Sequence, residues 1–391
     1  MSAKKMVFVL MAMAMILAAC APAATAVAPM VETSAPMVET VVVPATAGPA
    51  PTANPMDTLA AACKAEGTIT LIADPRDWAD YGTIMDTFGS RYGVSINDLN
   101  PNGSSADELA AIKANEGNKG PQAPDVVDVG YSFGPQGVSG NLFAPYKVQT
   151  WDTIPLKDPN GYWTEEYAGV MTFEVNTKVV KDVPTSWADL LKPEYKGMVA
   201  LAGDPKGSNQ AIMAVWASAL ANGGSLDNAQ PGLDFFAKLN KEGNFVPVIG
   251  HLAEVAQGAT PILLRWDYNA VGDEVSAAGN PPITVVVPSD GTIEGPYVAA
   301  LSAYGPHPNC GKLWLEFLFS DEGQMDYLRG FAHPARFADL VSRNLVTSDV
   351  LSMLPSASSY SVAVIPTLAQ IAAQSTTITS GWDSAVGVTV H

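Results

Sequence analysis

Three times between residues 68 and 132 the chain passes from a short apolar run, through a polar or aromatic loop, to residues with helical spacing. The first run, 68–73, is followed by Asp77-Trp78-Ala79-Asp80-Tyr81 and a helical face of Ile84, Met85, Phe88 and Tyr92. The second, 94–99, leads through Gly103-Ser104-Ser105, where a serine suits a helix cap, into a helix over 106–115. The third, 125–129, ends in Gly130-Tyr131-Ser132. This succession predicts a largely parallel sheet with its loops at one edge. Ligands of such sheets lie beyond the carboxyl ends of the strands.

A second block repeats the pattern. A strand is expected over 167–175, a helix over 184–191 and a strand over 198–202. The turn Gly203-Asp204-Pro205-Lys206-Gly207-Ser208-Asn209 then opens a helix over 210–221, and further helices fall at 233–239 and 251–257. Within 259–275 the periodicity changes, from an apolar strand at 261–264 to helical spacing at 268–275. The junction is Arg265-Trp266-Asp267-Tyr268, and an indole, a carboxylate and a phenol at a strand's carboxyl end point at whatever is bound. A strand at 283–287 closes at Pro288, and after 297–303 the pattern turns helical, with Leu313, Trp314, Phe317 and Leu318 on one face, a cap at Asp321 and a helix over 334–344. The second block is therefore inserted into the first. Two crossings are expected, near 173–176 and 286–291, giving one lobe from 57–173 and 289–391 and another from 174–288.

The amino terminus reads differently. Lys4 and Lys5 precede an apolar run over 6–19, which is short for a membrane span and suits an export signal. It ends in Leu17-Ala18-Ala19-Cys20, which resembles the lipobox of bacterial lipoproteins and implies lipidation of Cys20; the other reading is an ordinary signal peptide cut elsewhere. Residues 20–56, in which Ala-Pro-Met-Val-Glu-Thr starts at both Ala28 and Ala35, are too poor in core-forming residues to fold and read as a tether. The chain carries 39 acidic against 21 basic residues, a formal charge of −18, and loss of residues 1–19 removes two bases and no acids. Such a surface excludes nucleic acid as a partner. It suits a cationic ligand or simply solubility. With Cys20 lipidated, Cys63 and Cys310 remain, as a disulfide or as two buried thiols.

Taken together, the chain resembles the solute-binding proteins of ABC importers, in the group that includes polyamine and ferric-iron binders. Three signals carry the resemblance: the lipobox with its tether; residues 184–197, Pro-Thr-Ser-Trp-Ala-Asp-Leu-Leu-Lys-Pro-Glu-Tyr-Lys-Gly; and residues 305–324, Gly-Pro-His-Pro-Asn-Cys-Gly-Lys-Leu-Trp-Leu-Glu-Phe-Leu-Phe-Ser-Asp-Glu-Gly-Gln, similar to that group's returning helix pair. It implies an α/β, two-lobed periplasmic-binding-protein type II fold, each lobe a mixed sheet flanked by helices, with two hinge crossings. It further implies a monomer without cofactor, anchored outside the cytoplasmic membrane, which closes on a solute and delivers it to a permease.

Polyamine binders of the group carry Trp-x-Glu-Tyr after the first strand, and Trp78-Ala79-Asp80-Tyr81 is similar with a shorter acid. Trp266 and Asp267 resemble their second-domain Trp and acid, with Arg265 before them. The indoles of Trp78 and Trp266 are thus expected to meet across the cleft, with Tyr131, Asp204, Glu294 and Tyr297 at edges where they could join, a setting for an ammonium group. Ferric binders generally use neighbouring tyrosines, and no Tyr-Tyr pair occurs. An anion is the other alternative, since Arg265 could grip a carboxylate or phosphonate and the amides around Gly207, Ser208 and Asn209 open a helix. A solute with both charges, such as an aminophosphonate or amino acid, would use both edges. Asp98-Leu-Asn100-Pro-Asn102-Gly103 begins like a calcium loop but has Leu109 where a glutamate is needed, and the four histidines have no metal-ligand spacing. There is no Gly-x-Ser-x-Gly, His-Glu-x-x-His or phosphate loop to support a secreted enzyme; a sensor subunit is a further alternative.

Overall fold

The computed structural model describes residues 54–352, 354 and 362–391. The export signal, Cys20 and the tether through residue 53 lie outside the described residues. Among those described, no helix is long and apolar enough to cross a membrane.

The folded chain opens with α1 (Pro55–Glu66), which Gly67 ends at φ 78, a left-handed conformation that glycine adopts without a Cβ clash. Two parallel strands, β1 (Thr68–Ile72) and β2 (Ser95–Leu99), follow, separated by α2 (Tyr81–Tyr92). After α3 (Ser105–Ala114) comes β3 (Val126–Gly130), tied to β1 by Asp125, whose Oδ2 accepts the Thr70 N–H at 2.7 Å and whose own N–H donates to the Thr70 carbonyl at 2.7 Å. Short α4 (Gly134–Ser139) and β4 (Phe143–Ala144) complete this part.

The spine of the molecule is β5 (Thr164–Asn176), buried along its whole length. Its first part, through Val170, pairs antiparallel with β10 (Glu294–Ser302); from Met171 onward it pairs with β8 (Ile262–Trp266) and β9 (Ile283–Val286). One strand therefore serves both lobes. The second lobe adds β6 (Val199–Leu201) and β7 (Phe245–Ile249), with α5 (Asn209–Ala221), α6 (Gln230–Glu242), α7 (Leu252–Gln257) and α8 (Asp267–Ala277). The strand order is β3-β10-β5-β8-β6-β7. The sheet is mixed rather than largely parallel: β1–β2 and β6–β7–β8 are parallel, while the crossing strands β5 and β10 run against their neighbours because the chain goes over and returns. The expected helix over 184–191 is a tighter turn, Trp187–Leu191, ended where Lys192 is held extended before Pro193.

The return builds α9 (Pro308–Leu318), α10 (Asp321–Arg329), β11 (His333–Pro334) on β5, α11 (Phe337–Ser342) and α12 (Ser348–Leu351). The helix expected over 334–344 is shorter because its first residue is taken into that strand pairing. Cys63 and Cys310 form a disulfide, joining α1 to α9 with Cα atoms 4.4 Å apart. Glu66 reinforces the joint by accepting the N–H of Asn309 at 3.2 Å and of Cys310 at 2.8 Å, at a helix start where a carboxylate is favoured.

The last helix, α13 (Leu368–Ala385), departs from the expected return of residues 289–391 to the first lobe. It packs on α5 and α6, with Trp382 against Phe236 and Phe245, and Gln374 Oε1 accepting the Ala229 N–H at 2.8 Å. The physical reason lies in its stripe of Ile371, Ile378 and Trp382, which needs an apolar partner that those helices supply. On its way the chain runs beside the second crossing, where Val364 accepts the Glu294 N–H at 3.1 Å and donates to Thr292 O at 3.2 Å.

Candidate functional site

The carboxyl ends of β1, β3, β6 and β8 open onto a cleft of about 450 Å³. Two helix starts face it. At α3, Ser104 and Asp107 form a capping box: Ser104 Oγ accepts the Asp107 N–H at 3.3 Å, and Asp107 Oδ2 accepts the Ser104 N–H at 2.9 Å. At α5, Ser208 caps by accepting the Ala211 N–H at 3.5 Å. The amides one and two residues past each cap have no partner within their helix, and their residues, Ser105, Ala106, Asn209 and Gln210, line the cleft. The two starts lie close together, since a Cβ on Gly207 would come within 3.4 Å of both Ser104 Oγ and Ala106 Cβ. The lobes are closed here.

Beside the α5 start lies a cation. Arg265, at the end of β8, reaches the wall and is ion-paired through Nη1 with Asp273 and, at 3.3 Å, with Glu174, while its Nε has no partner. Burial pushes the Glu174 carboxyl up to about 8, although Arg265 opposes the shift. Asn269, one helical turn before Asp273 and 4% exposed, also lines the cleft, and its buried Nδ2 has no hydrogen-bond partner. Toward the first lobe the wall is acidic and aromatic, with Asp77, Trp78 and Asp128, and Asp204 stands on the turn before α5. Trp78 is packed edge-on against Tyr268 and Tyr297, at 5.4 and 5.7 Å between ring centroids, and its Nε1–H donates to the Tyr167 hydroxyl at 2.7 Å. A fixed indole of this kind offers a face to a cation.

Of the residues singled out from the sequence, Trp78, Ser104, Asp204, Ser208, Arg265 and Tyr297 line the cleft. Asp80 does not; it occupies the turn into α2 at φ 64. Tyr81 is buried behind the wall, donating to Asp128 at 3.0 Å, and Tyr131 is buried edge-on against Trp163 at 5.4 Å. Trp266 is fully buried and donates to the Tyr297 hydroxyl at 3.2 Å, so the two indoles do not meet across the gap; Tyr297 separates them, touching both. Asp267 accepts the Val170 N–H at 2.9 Å, where β5 changes partners, and Tyr268 lies buried beneath Trp78. Glu294 stands on β10, its carboxyl pushed up to about 7 by burial and the nearby Asp267.

The sequence reading missed Asp128, Asn269 and Asp273. Two signals pointed to them: residues 265, 269 and 273 recur every fourth position from the junction, and Asp128 is an acid inside an apolar strand. Among the described residues no group of three or more His, Cys, Asp or Glu is arranged to hold a metal ion.

The description of a bacterial extracellular solute-binding protein matches residues 122–356, well over half of the chain. This chain belongs to that family. A Haemophilus influenzae protein without an assigned role is 29% identical over 259 residues, 62% of this chain and 70% of its own length. A Salmonella typhimurium protein provisionally named as a 2-aminoethylphosphonate-binding periplasmic protein is 26% identical over 254 residues, again 62% and 70%. The structure of the periplasmic binding protein AfuA from Actinobacillus pleuropneumoniae, with exogenous fructose-6-phosphate bound, superposes with a TM-score of 0.65 at 20% identity over 82% of this chain and 98% of that one. The fold of this solute-binding protein is thus that of the type II periplasmic binding proteins. Members of the family act outside the cytoplasm, binding solutes as components of transporters.

Proposed function

We propose that this protein captures a small solute bearing both an amine and an oxyanion, of the aminophosphonate or amino-acid class, and delivers it to the permease of an ABC importer. The observation that carries this reading is that one cleft wall holds both anion-binding and cation-binding groups. Arg265, Asn269 and two helix starts supply donors, while Trp78, Asp77, Asp128 and Asp204 supply a cation's partners within the same cleft. A phosphonate or carboxylate suits the first set and an ammonium the second. The name of the Salmonella relative supports the same class.

In this reading residues 57–173 with the return and residues 174–288 close over the solute as a monomer, and Cys20 tethers the protein to the membrane through its lipid. A purely cationic solute such as putrescine is the second reading, favoured by the number of acids on the wall. Thermal unfolding in the presence of 2-aminoethylphosphonate, amino acids, putrescine, spermidine and ferric salts decides between them, since a solute bound only by the folded form raises the midpoint. A rise with 2-aminoethylphosphonate or an amino acid, lost in Arg265→Ala, supports the first reading; a rise with putrescine alone overturns it.

A further inference from the structure

Behind Asp128, the wall beneath Trp78 contains a second buried carboxyl, Glu166, which the cleft itself does not expose. Asp128, on β3, is 7% exposed and forms part of the cleft wall. Its Oδ2 accepts hydrogen bonds from the hydroxyls of Tyr167 and Tyr81, the latter at 3.0 Å, and its N–H donates to Glu108 Oε2 at 2.9 Å. The same Tyr81 hydroxyl lies 3.5 Å from Oε2 of the fully buried Glu166, which also accepts the Tyr327 hydroxyl at 2.9 Å, so two buried carboxyls meet at one phenol. Two carboxyls buried this close together do not both ionise without a cation between them, so the pair holds one proton. Burial pushes both groups up and keeps that proton in place. The other titratable groups facing Asp128 are Asp74 beyond β1, Tyr268 on α8 and Tyr297 on β10. These neighbours are all acids or phenols, and among the described residues no ion pair reaches either carboxyl.

We propose that Asp128 receives the cationic end of the solute and that capture expels the shared proton. The proton leaves the Asp128–Glu166 pair for bulk water; the ammonium group keeps its own protons and takes the vacated place beside the carboxylate. Trp78 is already coupled to that carboxylate, because its indole N–H donates to the Tyr167 hydroxyl, which donates to Asp128. The ring that would cover the cation and the group that would neutralise it are held in one chain of hydrogen bonds. This rests on the reading that the solute carries an amine.

Protons and solute then compete for one pair, so acid weakens binding. With one proton released, the dissociation constant rises about tenfold for each unit of pH lost while the pair is protonated. The test is calorimetric titration of the full chain with 2-aminoethylphosphonate, and with putrescine in a second arm, in buffers of low and high ionisation enthalpy at pH 7. About one proton released per solute is expected, falling to near zero in Asp128→Asn, which also binds more weakly, and in Glu166→Gln, which guards against a folding defect in the first variant. Stoichiometric binding with the same heat in both buffers overturns the inference while leaving the solute reading intact. Proton release that persists in both variants does the same. If neither amine nor any amino acid binds, both fall together.

Discussion

Asn209 fills the space that a side chain at Gly130 would need: a Cβ on Gly130 would lie 2.0 Å from the Asn209 Cγ. Gly130 ends β3 in the first lobe and Asn209 begins α5 in the second, and Ser132 Oγ donates to Asn209 Oδ1 at 3.3 Å beside them. This contact exists only when the lobes are together. Gly130→Ala should therefore oppose closure by about 1–3 kcal/mol, the usual cost of overpacking, and weaken solute binding roughly tenfold or more. Calorimetric titration measures the affinity, and unfolding of the empty protein should change little. An unaltered affinity would show that closure does not need this contact.

The disulfide between Cys63 and Cys310 spans a sequence separation of 247 residues. Opening it should lower stability by about 2–5 kcal/mol. Denaturant unfolding of the paired Ser variant, with and without reductant, checks this: reductant should destabilise the natural protein and leave the variant unmoved.

Trp382 is fully buried and closes the contact between α13 and α6, and its Nε1–H donates to Val388 O at 2.8 Å. Trp382→Ala should cost about 3–5 kcal/mol. Because the helix is seated on the second lobe, hydrogen exchange should rise first in α13, α5 and α6 rather than in α1 and α9.

Glu165 on β5 and Glu294 on β10 have carboxyls pushed up to about 8 and about 7, first by burial, with Glu294 adding to the shift at Glu165 and Asp267 to that at Glu294. In an unfolded chain both titrate near 4.3. Between those limits the folded state binds more protons than the unfolded one, so their contribution to stability is present in acid and lost as the pH rises. Glu294→Gln removes one of the two. Its melting temperature relative to the natural protein should climb by several degrees from pH 5 to pH 8; a constant difference would refute the assignment.

Much of the architecture could be read in the chain because it rests on periodicity. The change of pattern expected after Leu264 appears as β8 ending at Trp266 and α8 beginning at Asp267. Which way the junction side chains face was not legible. Trp266 and Tyr268 are large and apolar enough for either a ligand or a core, and the core took both. Asp267 is claimed by a backbone amide on β5, a partner 97 residues away that no local pattern announces. Conversely, Asn209 and Asn269 look like ordinary helical polar residues, and only the approach of α3, α5 and α8 turns them toward a shared space. The destination of α13 was hidden for the same reason: its stripe shows that something must cover it, not which lobe supplies the cover.

That destination has a practical result. Residues 368–385 ride on the second lobe and also touch residues 131–133 of the first, while the preceding segment is stitched at Val364 to the second crossing. The carboxyl-terminal part is therefore carried by one jaw and grazes the other. A dye at exposed Ala372, paired with one at exposed Glu116, would report the jaws parting without any label near the solute.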